Sequence, residues 1–182
     1  MFLEEKLNLK NGEFKVIRNL KLVKVNTKYC DYLRKFDKRV AYNKYSKELR
    51  PFVGILFTID ECLYFAPLSS PKKKHLKMKN NIDFYKIDGG KLGAVNFNNM
   101  IPVKENYYDI IILYKDVSSK DEQKYHELLK DQFDWLNRHY EQVKNISKKL
   151  YNLYNNDKLP SSIKQRCCNF KLLEDKCLEY NQ

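Results

Sequence analysis

Leu129, Leu136, Val143 and Leu150 stand seven residues apart, and residues 132–133 with Tyr140, Ile146 and Leu153 widen the same stripe. An apolar repeat of this period belongs to an α-helix, whose 3.6 residues per turn bring such positions back to one face. Ser119 followed by Glu122 opens the stretch with a capping box, and the pattern runs to about residue 155 before Pro160 ends it. It reads as one long helix, or as two broken between residues 139 and 145. The first 115 residues carry no such period. There, short β-branched and aromatic runs are separated by polar turns, so a sheet must pack against a large helical flank. That is an α+β architecture with a mostly antiparallel sheet.

The strand-rich half divides as follows. Residues 15–26 alternate apolar with basic side chains and predict one strand or a hairpin. Tyr29, Leu33 and Phe36 fall at helical spacing in residues 29–40, a short amphipathic helix with Arg34, Lys35 and Lys38 outside. Residues 52–60 and 63–68 predict a hairpin or adjacent strands, and residues 83–87 and 92–97 flank a Gly89-Gly90 turn. Residues 100–103 and 108–114 complete the set, and residues 167–180 predict a strand followed by a helix. The expected domain is single: residues 1–19 an extension, 20–115 mainly β, 118–157 helical, and 160–182 a terminal element.

Charge narrows the function. Thirty-five Lys and Arg against 23 Asp and Glu leave a net +12, which suits a polyanionic partner such as nucleic acid. The longest apolar runs, residues 52–57 and 110–114, are far short of the roughly 20 residues of a membrane helix. The first 14 residues carry charges throughout, unlike a signal peptide. Five cysteines without C-x-x-C spacing read as free thiols in a reducing cytosol. A soluble, cytoplasmic protein that uses neither membrane nor metal is expected. The acidic residues make no D-x-D cluster in the strand-rich half, and neither a Walker loop nor H-E-x-x-H is present, so no cofactor is implied.

Two segments can carry chemistry. Residues 66–79, APLSSPKKKHLKMK, place the hydroxyls of Ser69 and Ser70 before Pro71, then Lys72, Lys73, Lys74, His75, Lys77 and Lys79. Pro71 cannot continue a central strand, so the segment is a loop at a sheet edge, where hydroxyls and ammonium groups can hold and stabilise a phosphate. A solvated lysine run is the competing reading of the same spacing. Residues 42–51, YNKYSKELRP, offer Tyr42, Lys44, Tyr45, Lys47 and Arg50. Tyrosine faces can stack unpaired bases while cations hold the backbone of single-stranded RNA. A surface loop with half-buried tyrosines reads equally well.

Several runs stand in a fixed order. They are Tyr32-Leu33 with Phe36-Asp37, then Phe52-Val53-Gly54-Ile55, then Tyr64-Phe65-Ala66-Pro67-Leu68-Ser69-Ser70-Pro71-Lys72-Lys73. Leu92-Gly93 with Asn96-Phe97 and Met100-Ile101-Pro102 follow, and Cys168-Asn169-Phe170 with Leu172-Leu173-Glu174 and Lys176 close the series. In this order and spacing the chain resembles the ToxN/AbiQ family, endoribonuclease toxins of type III toxin–antitoxin and phage abortive-infection systems. The resemblance covers residues 20–180.

It implies a compact, highly twisted antiparallel sheet similar to the Kid/MazF toxins, with added helices. It also implies metal-free RNA cleavage to 2′,3′-cyclic phosphate and 5′-hydroxyl ends. The implied partners are cellular or phage RNA and a short repeated antitoxin RNA, which the toxin processes and holds in a closed assembly. The family's hydroxyl pair and following lysine fall on Ser69, Ser70 and Lys72. Its upstream lysine position holds Arg50, and its tyrosine position falls nearest Ser46, with Tyr45 and Tyr42 a small shift away. An arginine is no proton acceptor near neutral pH, so Arg50 suits phosphate charge only. The expected catalytic set is therefore Ser69, Ser70, Lys72, Arg50 and Tyr45, with Tyr42, Lys44, Lys47, Lys73, Lys74, His75 and Lys77 binding RNA. A noncatalytic single-stranded-RNA-binding module is the alternative, and a basic subunit of a larger complex a third.

Overall fold

The residue pattern becomes structure as follows in the computed structural model, which describes residues 6–8, 14–16, 19–42, 50–113 and 119–181. Ten strands occur among these residues. β1 (Lys6–Asn8) and β2 (Phe14–Val16) pair with each other as a separate ribbon. The other eight are β3 (Lys21–Val25), β4 (Phe52–Gly54), β5 (Thr58–Ile59), β6 (Cys62–Ser69), β7 (Tyr85–Lys86), β8 (Ala94–Val95), β9 (Ile101–Val103) and β10 (Tyr108–Ile110). They form one antiparallel sheet in the order β10-β3-β4-β6-β8-β7, with β5 and β9 also on β6.

β6 organises the sheet because it is eight residues long and almost wholly buried. Its first half pairs with β5 and β9, through Ile59↔Cys62 and Tyr64↔Pro102. Its second half pairs with β4 and β8, through Phe52↔Pro67 and Ser69↔Ala94. The expected hairpins at residues 52–69 and 83–97 are therefore present. Residues 15–26 differ from expectation: β2 and β3 lie in different sheets, and β3 pairs with β10 and β4 instead of forming a hairpin with β2. The last expected strand is shorter than residues 108–114: it ends at Ile110, followed by one more bond to β3 from Ile111 N–H to Leu22 O at 2.9 Å.

Helices cover the sheet. α1 (Thr27–Phe36) starts where the Asn26 side chain accepts from the N–H groups of Lys28 and Tyr29, and it buries Tyr29, Cys30 and Leu33. Phe36, expected on the buried stripe, is 41% exposed under the Lys176 ammonium, and Cys30 takes the inward place. α2 (Lys73–Lys77) follows β6 directly. The heptad region is two helices, α3 (Lys120–Arg138) and α4 (Tyr140–Asn155), meeting at His139. Ser119 Oγ accepts from Glu122 N–H at 3.2 Å, and Leu129, Leu136, Val143 and Leu150 are all buried. Pro160 does not end this pair; it opens the short α5 (Ser161–Lys164). No strand precedes the last helix, α6 (Phe170–Glu179): a turn leads straight into the Asn169 cap.

Buried polar links join helices to sheet. Glu174 on α6 accepts from Tyr64 Oη of β6 at 2.7 Å and from Tyr151 Oη of α4 at 2.6 Å. Lys171 Nζ lies 3.2 Å from the other carboxylate oxygen. Burial first, and then the carboxylate, push both phenol pKa values well up, so both remain donors. Tyr151→Phe is expected to lower unfolding free energy by about 1–3 kcal/mol, since it removes one donor to a buried charge. Equilibrium urea unfolding checks it, and an unchanged midpoint would show the contact to be energetically idle. Asp37 similarly ties α1 to α6: one carboxylate oxygen accepts from Arg39 Nε at 2.8 Å, the other from Asn169 N–H at 2.7 Å.

Candidate active site

The site begins where β6 runs out. Ser69 is its last residue, paired with Ala94, and Pro71 turns the chain into α2. Lys72 sits at the α2 N-cap, where His75 N–H donates to its carbonyl at 2.8 Å. Asn96, just beyond β8, fixes Ser69: its Nδ2 donates to Ser69 Oγ at 2.7 Å, and its N–H donates to Pro67 O at 3.1 Å. The opposite neighbour is β4. Leu68 N–H donates to Pro51 O at 2.9 Å, which extends the Phe52↔Pro67 ladder by one pair. The next position in that register sets Arg50 across from Ser69.

Two glycines let the loop close. A Cβ at Gly93, where φ is +98°, would lie 1.9 Å from the Ser69 carbonyl oxygen. A Cβ at Gly90 would lie 2.8 Å from the His75 carbonyl. The turn between β7 and β8 is thus pressed against both ends of the Ser69–His75 segment. Gln132 Nε2 of α3 holds that turn from behind, donating to Leu92 O at 2.7 Å.

The result is a cleft of about 440 Å³ whose lining includes Ser69, Lys72, Lys74 and His75. Asn81, Asp83, Phe84, Asn96, Asn98 and Arg166 also line it. Lys72, Lys73, Lys74, Lys77 and Lys79 are exposed, and among the described residues none forms an ion pair. Five uncompensated ammonium groups at one edge favour a phosphate chain. His75 differs from its place in the lysine run: it is only 2% exposed, its ring lies 5.6 Å from Phe84, and Nδ1 has no partner. Burial, then the Lys72 and Lys74 ammonium groups, lower its pKa, so the imidazole is neutral at pH 7. Burial also lowers the Arg50 pKa, but a guanidinium stays charged there.

The expected residues thus converge in part. Ser69, Lys72, Lys74 and His75 line one cleft, Ser70 is exposed beside Ser69, and Arg50 lies opposite in register. Lys73 and Lys77 are exposed on α2. Tyr42 is drawn toward α1, with the Arg34 guanidinium 4.8 Å from its ring centre. Lys44, Tyr45 and Lys47 lie outside the described residues. Asn96, Asp83, Asn98 and Arg166 were not expected in the site. Asn96 had a signal, standing with Phe97 among the runs that carry the family resemblance, whereas Asp83 and Arg166 are 83 residues apart and meet only in the fold.

The sequence model of the family described as "Toxin ToxN, type III toxin-antitoxin system" matches residues 21–178. The chain belongs to the ToxN family. Two curated relatives resemble this ToxN-family chain over most of its length. The endoribonuclease ToxN of Bacillus thuringiensis subsp. kurstaki is 32% identical over 90% of the chain and 86% of the relative. The endoribonuclease AbiQ of Lactococcus lactis subsp. lactis is 30% identical over 90% of each.

Solved structures agree. A type III toxin selectively inhibited by a non-coding RNA pseudoknot superposes with a TM-score of 0.74 at 32% identity, covering 89% of this chain and 98% of that one. The lactococcal anti-phage endoribonuclease AbiQ superposes at 0.72 and 25% identity, with the same coverage. The ToxN-family sheet, helical flank and site loop described above all lie inside the matched residues. No helix among the described residues is long and apolar enough to cross a membrane.

Proposed function

We propose that this ToxN-family endoribonuclease cuts single-stranded RNA without a metal ion, with the cleft at Ser69–Lys72 as its catalytic centre. What supports the reading is the cleft at the end of β6, where Asn96 Nδ2 holds Ser69 Oγ and the exposed Lys72 has no ion-pair partner among the described residues. The ribose 2′-oxygen attacks the adjacent phosphorus while the bond to the 5′-oxygen breaks, leaving a 2′,3′-cyclic phosphate and a 5′-hydroxyl. The protein must align those atoms, stabilise the phosphorane charge and move two protons.

Lys72 and Arg50 supply positive charge to the phosphorane. Asn96 occupies an acceptor site of Ser69 Oγ, so the Ser69 hydroxyl hydrogen is free to donate to a phosphate oxygen. Ser70 offers a second hydroxyl from the exposed turn. Tyr45 or Tyr42 protonates or orients the leaving oxygen. Lys73, Lys74, Lys77, Lys44 and Lys47 hold the flanking backbone, and the same cationic surface takes up a repeated antitoxin RNA, which closes toxin and RNA into one assembly in the bacterial cytosol.

The test is incubation of the purified protein with end-labelled, adenine-rich single-stranded RNA in EDTA, followed by identification of the product ends. Cyclic-phosphate ends that disappear in Ser70→Ala are expected. A pool of cellular RNA that stays bound yet intact overturns the enzyme reading in favour of a binding module.

A further inference from the structure

The Asn96 side chain donates to two atoms of β6 at once. Its Nδ2 lies 2.7 Å from Ser69 Oγ and 3.3 Å from Pro67 O, and the Asn96 backbone N–H also reaches Pro67 O, at 3.1 Å. A carbonyl oxygen can only accept, so Pro67 O decides which way round the Asn96 amide stands. Turned over, the amide would set its own oxygen against the Pro67 oxygen, acceptor against acceptor. With Nδ2 held in place, one amide hydrogen goes to Pro67 O and the other to Ser69 Oγ, and Ser69 is obliged to accept. No acceptor among the described residues takes the Ser69 hydrogen. Pro67 is buried, whereas Asn96 and Ser69 are partly exposed and both line the cleft. The polarity of a cleft hydroxyl is thus dictated from inside the sheet.

We infer that Asn96 is a positioning residue for RNA cleavage, which acts through Ser69 by holding its hydroxyl as a donor to the reacting phosphate. The inference rests on the proposed ribonuclease reading, in which Ser69 contacts a phosphate oxygen. Donation into Oγ does two things. It excludes the arrangements in which the hydroxyl hydrogen turns back toward Asn96, and it polarises the O–H, because an oxygen that accepts one hydrogen bond donates the next more strongly. Both effects count most where charge builds on the phosphorane oxygens, so Asn96 bears on the rate of the chemical step and little on RNA affinity. Ser70, exposed on the turn, has no such anchor among the described residues.

The geometry makes the consequence of one substitution specific. In Asn96→Asp, at nearly the same shape, the group facing Ser69 carries no hydrogen at neutral pH. The Ser69 hydrogen is then drawn to the carboxylate, and Oγ turns a lone pair to the phosphate where it had presented a donor. Asn96→Ala removes the hold without reversing it and leaves the Ser69 hydroxyl free to rotate. The backbone bond from Asn96 N–H to Pro67 O survives in both variants.

The experiment is a double-mutant cycle on full-length protein, read by single-turnover cleavage of cellular RNA and by affinity for a 2′-O-methyl RNA that cannot react. Ser69→Ala is expected to slow cleavage about 10²-fold, Asn96→Ala about tenfold, and Asn96→Asp about 10²- to 10³-fold. The double variant Ser69→Ala/Asn96→Ala should be no slower than Ser69→Ala alone, where independent effects would multiply to about 10³-fold. Affinity for the blocked RNA should change less than about twofold in Asn96→Ala, since the lysines still hold the backbone. A purely structural role for Asn96 would persist without the Ser69 hydroxyl, so multiplying effects overturn the inference. An Asn96→Ala protein that cleaves at the wild-type rate, or one whose affinity falls as far as its rate, overturns it too. Urea midpoints establish which variants fold. Where Asn96→Ala does not, Asn96→Asp in the two Ser69 backgrounds closes the same cycle and should cost at least about tenfold less without the hydroxyl. Cleavage by wild type with multiplying losses defeats the role of Asn96 alone, whereas wild type that cuts no RNA defeats the ribonuclease reading itself, and the inference with it.

Discussion

Lys72→Ala should lower the rate of RNA cleavage by about 10²- to 10³-fold while leaving RNA binding nearly intact. The loss corresponds to roughly 3–4 kcal/mol, the scale of one preorganised contact to transition-state charge. Lys72 is suited to such a contact: it stands at the α2 N-cap within the cleft, and no acid among the described residues neutralises it. Binding should barely change, because the remaining lysines of the same loop still neutralise phosphates. The logarithmic salt dependence of affinity should fall by only about one contact. Single-turnover cleavage and anisotropy on a 2′-O-methyl RNA separate the two quantities. In cells the variant should no longer arrest growth. Cleavage at the wild-type rate would remove Lys72 from the chemistry, whereas a parallel collapse of binding would make it a grip on the backbone.

Gly93→Ala should be among the most damaging single changes in the sheet. The added carbon would sit 1.9 Å from the Ser69 carbonyl oxygen and 3.1 Å from the carbonyl carbons of Ser69 and Ser70, at φ +98°. Neither partner is a flexible side chain, so the β6–β8 pair must separate. A loss of about 3 kcal/mol or more is expected from the backbone conformation and the overlap together. Gly89→Ala is the matched control, since φ is +62° but nothing lies within 4 Å. It should cost only about 1–2 kcal/mol. Urea unfolding of the two variants gives the comparison, and equal midpoints would show that the sheet yields at Gly93 without cost. Where Gly93→Ala still folds, the shifted Ser69 should lower cleavage as well.

These effects also mark how far the residue pattern reaches. The heptad leucines and the Gly89-Gly90 turn were legible because helix period and left-handed turns are local properties, and both elements stand where expected. Ser69, Ser70 and Lys72 were legible as a group because they are contiguous. The burial of His75 was not legible, for a lysine run says nothing of which member turns inward: Phe84 and Gly90 close over it through the fold while it still lines the cleft. The β2–β3 segment failed similarly, since alternation predicts extended chain but not its neighbour, and β10, more than 80 residues away, pairs with β3. The Asp83–Arg166 pair has no local signature at all. It exists because the turn before α6 returns to the β7 edge, where Asn98 O accepts Cys168 N–H at 2.7 Å.

β6 carries pairing on both edges along most of its length, and its final residue is Ser69. Amides in such a strand exchange with solvent through the rarest openings of a protein, those that approach complete unfolding. The proposed catalytic end of the molecule is therefore tied to its most cooperative unit, not to a loop that can loosen separately. Partial denaturation would leave few molecules with impaired catalysis: a population of toxin would consist of fully competent copies and inert chains, with almost nothing between.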